Sequence, residues 1–302
     1  DLEVLMSLSR EGFVFLWSLC LLLVSGGCAP TKPARVSAVA YTAEDVFIAA
    51  SKQSDPTIVR AGTPAYLMLV DGLIEAYPDN SDLLTAGCQV YTAYASSFVE
   101  DTDPEKAAAL YAKAKGYGFR ALSRKQDFQQ AVTGQLDDFV VFLKQYTKED
   151  APSLFWTASA WGKWISLNVD RVEAVADMAV LEATIQRTLE LDDSFYYGSP
   201  HLLMAVYLAA RPEIIGGNLN KAKEHFDKAF SLGADKLLSA EVLFARHYAV
   251  RLRDKVLFTQ TLQGVIDAPV DEVPELTLAN TLAKEKAREM LENVDDYFGE
   301  LP

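Results

Sequence analysis

Apolar positions recur along most of the chain at intervals of three and four, the spacing of one helix face, and form no long run of strand-like alternation. Helix starts are marked by a capping oxygen ahead of a proline, where the missing N–H costs nothing: Thr63-Pro64, Asp103-Pro104, Asp150-Ala151-Pro152 and Ser199-Pro200. Stops fall at Tyr77-Pro78-Asp79-Asn80, Arg211-Pro212, Gly216-Gly217 and Leu232-Gly233. Between them the pattern predicts helices at about 43–53, 64–76, 81–99, 104–123, 127–146, 151–167, 172–190, 199–210, 219–231, 236–252, 254–267 and 274–297. Short turns join them in pairs. The expected fold class is all-α, built of stacked antiparallel helical hairpins.

A repeat runs through these helices in degenerate form. Ala222, Phe226 and Ala229 follow the small–aromatic–small cadence of the second helix of a tetratricopeptide hairpin. Residues 66–78, 107–114 and 180–191 have a similar cadence. The spacing departs from the regular period of about 34 residues, so the repeats are cryptic.

The first residues depart from this pattern. From Met6, with Arg10 as its positive charge, the chain enters an apolar run, Phe13 to Val24. That is the length of a secretory signal core, and too short to span a hydrocarbon layer of about 30 Å as a helix. Ser25-Gly26-Gly27 then leads into Cys28, which resembles a bacterial lipobox, although Leu is commoner than Ser at the Ser25 position. We therefore expect residues 1–27 to be a lipoprotein signal peptide. Cys28 is then the acylated residue, holding the chain to a membrane through its acyl chains. Residues 28–40 form a short tether and residues 41–302 the helical domain. Ala29, rather than Asp, after the cysteine favours the periplasmic face of an outer membrane. Of the three cysteines, Cys20 leaves with the signal and Cys28 carries lipid, so Cys88 is a core residue.

Charge narrows the partners. A net charge of −14 argues against nucleic acid and against an electrostatic grip on anionic lipid headgroups.

No catalytic constellation, metal-ligand spacing or cofactor motif appears. There is no P-loop and no Gly-x-Ser-x-Gly elbow, and His201, His225 and His247 are far apart. Gly116 to Ala121 satisfies Gly-x-Gly-x-x-Ala, but no strand precedes it. Asp101-Thr102-Asp103 lacks the glycine and distal Glu of a calcium loop and reads as a helix cap. The chain is not expected to be an enzyme.

Two regions are less ordinary. Three of the four tryptophans fall in one helix. Trp161, Trp164 and Asn168 share a face there, and Trp156 and Lys163 share another. They read either as two-sided core packing or as an aromatic-lined cavity or partner groove. The second region runs from Asp193 through Tyr196, Tyr197 and Gly198 to the Gly216-Gly217 turn. Arg211, and Arg246 with Tyr248, either pair a ligand carboxylate or serve as internal or surface salt bridges.

At these regions the chain resembles the T-component lipoproteins associated with tripartite ATP-independent periplasmic (TRAP) transporters. The resemblance rests on residues 91–100, 148–168, 196–232, 244–250 and 276–298, above all on Ala-Ala-Arg-Pro-x-x-x-Gly-Gly at 209–217 and on the tryptophan-rich helix. It implies cryptic tetratricopeptide hairpins, a periplasmic location and a non-enzymatic role. It also implies assembly as a homotrimer and docking of a TRAP-type periplasmic substrate-binding protein. A channel beside that partner's ligand site would pass a small organic acid or apolar ligand, with Trp156, Trp161, Trp164, Asn168, Tyr196, Tyr197, Arg211, Arg246 and Tyr248 as candidate lining residues. The alternative is a ligand-free helical-repeat scaffold of the cell envelope.

Overall fold

The computed structural model describes residues 45–299. The expected signal peptide, Cys28 and the tether lie outside them. Among the described residues there is no strand. After a short helical stretch at 45–51, the labelled helices are α1 (Pro56–Ala76), α2 (Ser81–Phe98), α3 (Pro104–Leu122), α4 (Phe128–Val132), α5 (Leu136–Leu143), α6 (Ala151–Ser166) and α7 (Val172–Ala176). They continue with α8 (Met178–Asp192), α9 (Phe195–Ala209), α10 (Leu219–Ser231), α11 (Leu238–Phe244), α12 (Lys255–Asp267), α13 (Thr277–Glu292) and α14 (Val294–Phe298).

Several boundaries move from those the pattern predicts, each for a local reason. α1 starts at Pro56 rather than Pro64, because Asp55 accepts the Thr57 N–H at 2.9 Å and provides the earlier cap. Pro64 then sits inside the helix, and the Thr63 hydroxyl turns back to the Val59 carbonyl at 2.6 Å instead of capping. The predicted helix at 127–146 divides at Gly134, and the one at 172–190 divides at Asp177. Asp150 is drawn away from α6: it accepts the Thr147 N–H at 2.9 Å and Arg124 at 2.7 Å. Asp103 caps as expected, accepting the Lys106 N–H at 3.0 Å.

Packing follows chain order. In the α2–α3 pair, Ala95 and Val99 meet Ala107 and Tyr111, while earlier on α2 Tyr91 meets Tyr117, later on α3. Going up one helix is going down the other, so the pair is antiparallel. α6 packs on both α2 and α3, α8 packs on α6, α9 on α8 and α10 on α9. α11, α12 and α13 share a separate cluster centred on Phe258, Leu262 and Met290. The row then returns to its start. α13 packs against α1, and Lys286 on α13 reaches Asp101 at 3.0 Å.

α3 and α6 cross closely. Gly118 lies against the Thr157 side chain, where an added Cβ would overlap the hydroxyl and stand 2.9 Å from Thr157 Cβ. Thr157 cannot turn aside freely, because its hydroxyl donates to the Ser153 carbonyl at 2.6 Å. The second glycine of the Gly-x-Gly pattern at 116–118 is thus a helix contact. Cys88 is fully buried nearby, and burial pushes its thiol up to about 12, so it is an inert core residue.

The two glycines of α3 should respond oppositely to one added methyl. Gly118→Ala should destabilise by about 1–3 kcal/mol through overpacking. Gly116 has open space around it, so Gly116→Ala should stabilise by about 0.5–1 kcal/mol through helix propensity. Denaturant melts of both variants test the pair.

Candidate functional site

α6 places its tryptophans in three different settings. Trp161 points into the main core, is 2% exposed, and meets Phe119 edge-on at 4.9 Å. Its indole N–H donates to Asp177 at 2.7 Å. Trp164 is half-buried, with the Lys115 ammonium 4.0 Å above its ring. Asp177 also holds Lys115, at 3.5 Å, and burial lowers the Lys115 pKa. Asn168 is buried and donates to the Trp164 carbonyl at 2.8 Å, which ends the helix. Trp164, Leu167 and Asn168 wall a hollow of about 610 Å³ whose floor is Ala108, Ala109 and Ala112 of α3.

Trp156 belongs elsewhere. Its ring lies 5.9 Å from Tyr196, and Phe155 beside it meets Phe195 at 5.3 Å. These aromatics surround an unusual turn. Tyr196, Tyr197 and Gly198 have φ of 42°, 61° and 76°, three successive left-handed residues within the α9 assignment. A left-handed residue with a side chain costs about 1–2 kcal/mol, so the turn persists only because its surroundings over-determine it. The ring contacts do so from one side. On the other, the Ser199 hydroxyl donates to the Tyr196 carbonyl at 2.6 Å. Tyr196 remains 41% exposed, yet burial raises its hydroxyl pKa.

Arg211 is committed to its own loop. It donates to the carbonyls of Tyr207 at 3.1 Å, Ile215 at 3.3 Å and Gly216 at 3.2 Å. It also lies 3.6 Å over the Tyr207 ring and 3.7 Å from Glu182. Gly217 packs against the Arg211 carbonyl with no room for a Cβ. The Ala-Ala-Arg-Pro-x-x-x-Gly-Gly segment is therefore a self-closing clip.

Arg246 and Tyr248 flank His247 on a π-helical stretch, Ala245–Ala249, next in the chain after α11. Such stretches are rare and often mark functional positions. Tyr248 stacks on Phe244 at 5.0 Å, and Arg246 is exposed. Burial first, then the Arg246 and Lys163 charges, push His247 down to about 3. Lys163 itself grips Glu100 at 2.9 and 3.1 Å, and Glu100 also accepts from the Tyr111 hydroxyl.

The candidate residues therefore fall into four places: Trp156 with Tyr196 and Tyr197, Trp161 and Trp164 with Asn168, Arg211 alone, and Arg246 with Tyr248. Sequence reasoning missed the pairing of His201 with His225, whose Nδ1 atoms lie 2.8 Å apart. One signal was present: the two are equidistant from Glu213, in the connection between antiparallel helices. Among the described residues, no three His, Cys, Asp or Glu side chains converge as a metal site, and no helix is long and apolar enough to cross a membrane.

A family model described as TRAP transporter T-component matches residues 52–298. A protein of Treponema pallidum (strain Nichols), named only "Uncharacterized protein", is 21% identical over 270 residues, covering 82% of each chain.

Two outcomes are expected from this geometry. Arg211→Lys cannot reproduce the three-carbonyl grip, and should cost about 1–2 kcal/mol with faster proteolysis within 211–217. His247 has a folded pKa below its ordinary 6.5, so the unfolded chain takes up the extra proton. Its contribution is whole above the ordinary value and is lost as pH falls toward 3. Between about pH 7 and pH 4.5, the native chain should lose roughly 2 kcal/mol more stability than His247→Gln, measured by urea unfolding at each pH.

Proposed function

The chain belongs to the TRAP transporter T-component family, and from that premise we propose that it is a lipid-anchored periplasmic adaptor. Its helical body holds the substrate-binding subunit of a TRAP-type uptake system and passes on that subunit's ligand. The observation that carries this reading is the extent of the family match, which takes in almost the whole described body, 52–298. The family is a transporter-associated component rather than a known enzyme family.

The packing supports the reading at a finer level. α6 lies against both helices of the preceding α2–α3 hairpin, as the first helix of one tetratricopeptide-like repeat does on the repeat before it. Such stacks present extended surfaces to partners. Large apolar side chains stand exposed on several helices, among them Met68, Val141 and Val172, which suits assembly with other chains, including a homotrimer. Trp156 and Tyr196 supply an aromatic wall of the kind that anchors a partner or lines a ligand path. Arg246 is exposed on its π-helical stretch, which suits pairing with a carboxylate. Acylation at Cys28 and a short tether would keep this body at the periplasmic face of the outer membrane and raise the partner's local concentration there.

The test is association of the purified full chain with the binding subunit of its own transporter, followed by calorimetry. Binding at micromolar concentration or tighter is expected. Trp156→Ala combined with Tyr196→Ala should weaken it at least tenfold, about 1.4 kcal/mol. No association at tens of micromolar would overturn the adaptor reading in favour of a ligand-free scaffold.

A further inference from the structure

His201 on α9 and His225 on α10 meet head-on. Their Nδ1 atoms are 2.8 Å apart and their ring centroids 5.0 Å apart. The centroid separation is close to that contact plus the two ring radii, so the nitrogens face each other nearly along the line joining the rings. A zinc ion needs about 2.0–2.1 Å to each nitrogen, more room than this gap leaves. A proton fits. One ring must therefore donate its N–H and the other present a lone pair.

The surroundings assign the roles. Asp193 Oδ2 stands 3.6 Å from His201 Nε2 and favours a proton there. His201 Nδ1 is then the acceptor and His225 Nδ1–H the donor. A first added proton goes to His225 Nε2 and leaves the shared bond intact. A second has only His201 Nδ1 to go to. Two N–H groups would then face each other across the contact, each on a cation, and the bond is lost. The charged groups that reach the pair are few. Asp193, ahead of α9, and Glu224, on α10, favour protonation, while Lys221 and Lys228, both on α10, oppose it. Lys228 also lies 3.9 Å from Asp193 and competes for it. Burial disfavours charge on both rings.

The pair closes a seam that carries load elsewhere. One turn away, Gly198 is pressed onto α10, where a Cβ would stand 2.9 Å from Leu232 Cβ and 3.2 Å from the Ala229 carbonyl oxygen. The left-handed turn at 196–198 thus rests on the same α9–α10 contact that the histidines hold.

We propose that His201 and His225 form a proton-operated latch on the α9–α10 seam. It stays closed while the pair carries no more than one added proton, and opens when both rings are cations. Opening frees the strained turn that presents Tyr196.

The test tracks the imidazole nitrogens of the full chain by NMR from about pH 8 to about pH 4. Amide protection at 195–201 and 222–229 is measured alongside. Coupled titration in two steps is expected, with protection in both segments falling at least tenfold at the second step. His225→Gln keeps a neutral partner for His201 and cannot carry the second charge, so its protection should change less than twofold over the same range. His201→Gln is the mirror variant and should behave alike, which covers failure of either one to fold. Independent titration of the two rings would overturn the latch. So would the same acid-driven loss of protection in the glutamine variants.

Discussion

The approach of α3 to α6 at Gly118 is the contact on which the other positions depend. With only a hydrogen on Gly118, α6 settles close enough to touch α2 and α3 together. The contacts around the tryptophans are registered on α6. Trp161 is driven against Phe119, Trp164 comes under Lys115, and Trp156 is carried to where the turn before α9 can close on it. Lys163 is brought within reach of Glu100 on the far side of the same helix. One glycine in the middle of a helix is unfavourable by propensity alone. Here it is retained for packing, because a methyl on α3 would shift α6 and every contact registered on it.

Helix existence and order were legible in the sequence, because the three–four spacing of apolar residues and the Asp103-Pro104 signal report local physics directly. Boundaries were less so. At Thr63-Pro64 and Asp150-Pro152 the expected capping oxygens found better partners, the Val59 carbonyl and the Thr147 and Arg124 donors. A cap is a competition among nearby groups, and sequence shows only one contestant. The site was legible as composition but not as grouping. Trp161 and Trp164 lie along one side of α6, and Asn168 continues that side just past the helix end. Yet the core takes the first and a surface hollow the other two, because that side spans the edge between α3 and α8. Arg211 shows the opposite case. The segment that best marks the resemblance closes its own loop, so a distinctive sequence here reports a backbone constraint.

The left-handed turn at 196–198 ties the fold to the proposed aromatic wall. Two tyrosines adopt φ values that glycine tolerates far better. The strain is offset by rings from α6 on one side and by the α9–α10 seam on the other. A local structure that depends on two independent supports can be shifted by weakening either. That makes the exposed Tyr196 ring sensitive to events it does not touch.

This arrangement bears on how such a helical body could respond without a hinge. Its helices pack in sequence and α13 returns to α1, with Lys286 reaching Asp101 just past α2, so a rigid-body swing of one half would break contacts along the whole row. A change confined to one seam costs far less. The α9–α10 contact is suited to that because it holds a titratable imidazole pair at its edge. Protonation acts on imidazoles and leaves alanine and phenylalanine contacts untouched. Two of the three histidines therefore sit beside a turn already held in an unfavourable conformation, and a small energetic input there would be read out in the position of an aromatic side chain rather than in the fold.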